Sequence, residues 1–123
     1  SAVPTSGGVD YIASARKERS AARDDTINKL KEVLSSADIG EKSKTEALKG
    51  LDSIAQNATD EISVEAVIKA KGFADALVMI SEDQVTVMVP GESLLTSETL
   101  QIQDAVMSEL RVDLEKIKII TVK

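Results

Sequence analysis

Glu65-Ala-Val-Ile-Lys-Ala-Lys-Gly72-Phe73-Ala-Asp75-Ala-Leu-Val-Met-Ile80 reads as the closing turns of a helix, a glycine stop and a buried strand, with almost no loop between them. Gly72 has no Cβ to clash at positive φ, so it suits the position just past a helix end. Lys69 and Lys71 fall where cations meet the negative end of the helix dipole. Phe73, the chain's single phenylalanine, follows at once and reads as a core plug. A corner this tight, built from Gly72, Phe73 and Asp75, belongs to a small module in which helices pack on a sheet.

Downstream, residues 76–80 are nearly all apolar, as a central strand should be. Ser81-Glu82-Asp83-Gln84 supplies turn residues. Residues 85–89 then place Val85, Val87 and Val89 on one face of a strand and Thr86 and Met88 on the other. Pro90-Gly91 stops it. Thr96 is the expected N-cap of a helix, with Leu95 and Leu100 spaced as a hydrophobic staple. Leu100, Gln103, Val106 and Leu110, beside Ile102, Ala105 and Met107, form its expected inner face. Residues 112–115 turn the chain, and the β-branched run at 116–122 forms a last strand.

Upstream, a long helix is expected over 41–71, with Leu48, Leu51, Ala55, Ala58, Ile62 and Ala66 as its apolar stripe. Gly50 costs it about 1 kcal/mol against alanine, and Gln56-Asn57-Ala58-Thr59-Asp60 is a place where it could kink. Residues 35–40 turn. A first helix is expected over 9–36. Its second half carries Ile27, Leu30, Val33 and Leu34 at helical spacing, whereas Arg16-Lys17-Glu18-Arg19 and Arg23-Asp24-Asp25 leave its first half without a wide apolar stripe. A helix polar on most sides is a projecting stalk or a partner surface.

The element order gives an α+β fold: a helix-strand-strand-helix-strand core preceded by an extra helix. The expected divisions are a flexible tail at 1–8, a helical stalk at 9–40 and an α+β domain at 41–123. The most apolar strand belongs in the middle, which predicts strand order 2-1-3 with helices over one face. The edges would then be residues 85–89 and 117–122. An unpaired edge offers amides and carbonyls to another chain, so Val85, Thr86, Val87, Met88 and Val89 are the candidate interface. Arg16, Arg19 and Arg23 are a second candidate, as a basic stripe toward an acidic partner or membrane surface.

Composition narrows the chemistry. The 123 residues include no His, Cys or Trp, so the commonest neutral-pH base, the thiolate nucleophile and the usual zinc ligands are missing. The net charge of −6 argues against nonspecific nucleic-acid binding, which needs a cationic face. No apolar run approaches the roughly 20 residues of a membrane span. The pairs Asp60-Glu61 and Glu82-Asp83, and Asp113 with Glu115, read as solvated carboxylates, so no catalytic, metal or cofactor-binding residue is assigned. A small enzyme using carboxylates and lysine is the alternative of a different class.

Tyr11 with Arg16, Arg19 and Arg23, the run from Glu65 through Lys-Gly-Phe-Ala-Asp-Ala, the strand at 85–89, Gln101-Ile-Gln-Asp-Ala-Val and Lys116-Ile-Lys-Ile together resemble the stage III sporulation protein AH family over nearly the whole chain. The resemblance implies a ring-building motif of the kind also found in type III secretion rings. It implies an N-terminal membrane anchor absent from this chain, and a soluble domain lying between mother-cell and forespore membranes. It further implies pairing with a stage II sporulation protein Q ectodomain in a channel, with self-association into a ring. A ring component of another secretion system is the alternative of the same fold.

Overall fold

The structure is a computed structural model that describes residues 3–123; Ser1 and Ala2, part of the expected tail, lie outside the described residues. Helix α1 spans Ser6–Ser35, α2 Glu41–Ala70 and α3 Thr96–Glu109; strands β1, β2 and β3 span Leu77–Ser81, Gln84–Pro90 and Ile117–Val122. A short 3-10 turn, Leu114–Lys116, leads into β3.

Helix α1 starts earlier than expected because Thr5 caps it, its side-chain oxygen accepting the Gly8 N–H at 3.0 Å. Gly8 is buried where a Cβ would collide with the Val122 carbonyl oxygen, so glycine is required for α1 to approach the end of β3. Helix α2 continues unbroken through 56–60. Gly72 follows it at φ 108°, as a helix stop at the corner needs.

The strand order is β1-β2-β3, with β1 antiparallel and β3 parallel to β2. This corrects the expected 2-1-3 order. The segment β2-α3-β3 is a crossover that returns the chain parallel to the strand it left. The far side of β1 is meanwhile taken by helix side chains. Residues 85–89 are therefore central: Val78 and Ile119 both pair with Val87.

The core lies on the valine face of the sheet. Val64 and Ile68 of α2 and Ile102, Ala105 and Val106 of α3 pack with Phe73, Val78, Val85, Val87 and Val89. Phe73 is 7% exposed and serves as the plug the sequence suggests. The inward face of α2 differs from the expected stripe. Ala47, Glu61, Val64, Glu65 and Ile68 are buried, while Leu48 and Ile62 are 49% and 63% exposed. Two glutamates occupy positions that an apolar pattern assigns to the outside. Helix α3 begins one residue early, with Leu95 at the cap and its N–H donated to Glu98 Oε1 at 2.8 Å. Its Leu100 points outward, 59% exposed.

Candidate interaction surface

Arg16, Arg19 and Arg23 are spaced by three and four residues, which puts them on one face of α1. That face turns inward. Arg16 Nη2 lies 2.9 Å from Asp75 Oδ1. Arg19 Nη1 lies 2.8 Å from Glu65 Oε2 and 3.3 Å from Glu61 Oε1, and Arg23 Nη2 lies 3.0 Å from Glu61 Oε1. The Glu61 and Glu65 side chains are 1% and 7% exposed, so these are desolvated pairs. The basic stripe expected to face a partner is thus satisfied within the chain, and Glu61 is a buried counterion, not a solvated carboxylate. The signal lay in two spacings: Glu61 and Glu65, one turn apart on α2, oppose the arginine series on α1.

Asp75 joins the corner to this ladder. Burial acts to raise its pKa. The Arg16 hydrogen bond, the Ala76 amide and the charges of Arg16 and Lys69 outweigh that and hold it below the ordinary carboxylate value. Arg16 is pushed up, chiefly by its hydrogen bond to Asp75 and in spite of its burial. Gly72, Phe73 and Asp75 are brought together as one structural corner whose last member anchors α1.

The other predicted site does not assemble as expected. Val85, Val87 and Val89 are at most 1% exposed, and the backbone of the strand is paired on both sides. Thr86 and Met88 lie on the opposite face and are half-buried. No strand edge is available at 85–89. The terminal strand on that side is β3, named from the sequence as the second edge. Since Val122 O accepts the Gly91 N–H at 2.8 Å, Val122, Ile120 and Lys118 face β2. By alternation, Ile119 and Thr121 direct their N–H and C=O groups away from it.

A second outward feature is an open groove of about 760 Å³ between α1 and the sheet, where Tyr11, Ala15, Ala22, Met79 and Met88 meet. Tyr11 is 54% exposed. Among the described residues, no cluster of three or more acidic side chains is placed to hold a metal ion, and no helix is long and apolar enough to cross a membrane.

A helix-strand-strand-helix-strand unit on a mixed three-stranded sheet, with its buried charges consumed internally, defines the class: an α+β domain of the ring-building fold. The model of the SpoIIIAH-like protein family matches residues 2–119, and the chain belongs to that family. It is 28% identical over 102 residues to stage III sporulation protein AH of Bacillus subtilis (strain 168), covering 83% of this chain and 47% of that protein. The chain thus spans about half the length of this curated relative. It superposes with a TM-score of 0.75 on a chain of the SpoIIQ-SpoIIIAH pore forming complex, at 24% identity, covering 89% of this chain and 93% of that one. It superposes at 0.51 on the type III secretion system protein EscJ of enteropathogenic E. coli, at 15% identity, covering 80% and 91% of the two chains.

Proposed function

We propose that this chain is a structural assembly component of a sporulation channel that works by docking on other proteins. Its partner is an ectodomain like that of stage II sporulation protein Q. The site of action is the space between mother-cell and forespore membranes, and the domain carries no catalytic function. Membership of the SpoIIIAH-like family carries the proposal. The fold likeness to a chain of the SpoIIQ-SpoIIIAH complex supports it. The ring-building fold is consistent with self-association into a ring, whose contacts would be head-to-tail.

The docking surface is the β3 edge. Ile119 and Thr121 offer a row of donors and acceptors to an extended segment of the partner, which is strand addition. The buried carboxylates Glu61 and Glu65 already accept from arginines and from β1 amides, which commits them to holding the fold. Co-elution with a SpoIIQ-type ectodomain in size-exclusion chromatography tests the proposal. The wild-type domain is expected to bind. Ile119→Pro is expected to stay folded, because its N–H points out of the ladder and proline is tolerated on an edge, and to lose binding. A wild-type domain that fails to bind, or a folded Ile119→Pro variant that binds fully, contradicts it.

A further inference from the structure

The ladder does more than hold α1. Five backbone groups along the outer side of β1 and of Ala76 just before it meet helix side chains. The Val78 N–H donates to Glu65 Oε2 and the Ile80 N–H to Glu61 Oε2, each at 2.9 Å. Arg16 Nη2 donates to the Ala76 carbonyl at 2.9 Å and Arg19 Nη1 to the Val78 carbonyl at 2.6 Å. Asn57 Nδ2 reaches the Ile80 carbonyl at 3.5 Å. Acceptors and donors thus follow one another along the edge in the order that the backbone of a fourth strand would supply.

We propose that this ladder is a built-in lock on the β1 edge, which makes the sheet one-ended and confines strand addition to β3. A sheet with two open edges can add copies at both ends without limit, a route to fibres. Closing one edge stops addition after a single strand. The ion pairing by itself does not call for the device, since well-packed apolar side chains of similar volume often serve as well as a buried ion pair. What apolar side chains cannot do is satisfy the edge amides and carbonyls, which are costly to leave unpaired under a helix. Glu61 and Glu65 serve both purposes, each accepting from an arginine and from a β1 amide. The lock rests on the docking proposal only for what adds at β3; the closure of β1 is testable on this chain alone.

Residue-resolved amide exchange by NMR, followed by sedimentation, tests it. In the wild-type chain the Val78 and Ile80 amides are expected to exchange at least about tenfold more slowly than those of Ile119 and Thr121. The paired variant Arg19→Met/Glu65→Met keeps the volume and removes the polar atoms. It is expected to retain its helical circular dichroism, to speed Val78 exchange about tenfold, and to self-associate with rising concentration relative to wild type. Glu65→Gln retains an acceptor oxygen and is expected to behave as wild type in both measurements. Val78 and Ile80 amides as fast as the β3 pair overturn the lock, and so does a folded paired variant that sediments as wild type does. Should the paired variant lose its helical signal, the wild-type exchange rates alone decide between a locked and an open β1 edge. A partner that fails to bind at β3 leaves every one of these outcomes unchanged, so the two proposals fail separately.

Discussion

Two kinds of helix attachment sit side by side in this domain. The C-terminal part of α2, together with α3, grips the sheet through Val64, Ile68, Ile102, Ala105 and Val106, all fully buried. The N-terminal half of α1 is held chiefly through three arginines, with Ile12 as its fully buried apolar residue. Apolar contact scales with area and tolerates small shifts. The arginine contacts are directional and charge-assisted, and each depends on a named partner. Burial area thus builds the core, while charge pairing fixes the position and register of α1. An element with little apolar surface can still dock in one place when its arginines meet carboxylates that are buried with them.

The difference can be broken from either side. Phe73→Ala removes the plug beneath the apolar attachment and should cost about 3–5 kcal/mol in urea denaturation; a loss below about 1 kcal/mol would mean that the corner does not depend on its ring. On the polar side, Glu61→Ala strips Arg23 of its carboxylate and frees the Ile80 amide. Breaking one member of a buried pair costs about 3 kcal/mol, and the exchange of α1 amides should rise with it while β2 stays protected. Equal loosening of α1 and β2 would show that the two attachments are one.

Asp75 gives the smallest effect and the sharpest signature. Its folded-state pKa lies below the ordinary value. Its stabilisation is therefore present above the unfolded pKa and is lost as pH falls through the lower folded one. The difference in melting temperature between wild type and Asp75→Asn should hold from neutral pH down to about pH 4 and then shrink. A difference independent of pH would mean that the Arg16–Asp75 pair does not stabilise the fold.

The sequence shows its apolar half plainly and hides its charged half. The Gly72-Phe73 corner, the valine alternation at 85, 87 and 89, and the element order are all legible, because each follows from a local period or a backbone requirement. The strand order is not, because apolarity ranks β1 first and would place it in the middle, whereas β2 is the central strand. The choice falls to what covers the far side of β1, and that cover is made of charged side chains. Periodicity scores Glu61 and Glu65 as solvent-facing, which rotates the apparent stripe of α2 toward Leu48 and Ile62, although these are exposed. A glutamate's type does not reveal whether an arginine 38 or 46 residues away will meet it. The matched spacings of the two series are the clue that composition alone overlooks.

If β3 is the working edge, amide exchange in the complex will show it at two residues. On saturation with a stage II sporulation protein Q-type ectodomain, the Ile119 and Thr121 amides should slow by about tenfold or more, with Val78 and Ile80 unchanged from their already slow rates. A saturated complex in which Ile119 and Thr121 exchange as they do in the free chain, with protection appearing instead around Tyr11 and Met88, would contradict docking at β3.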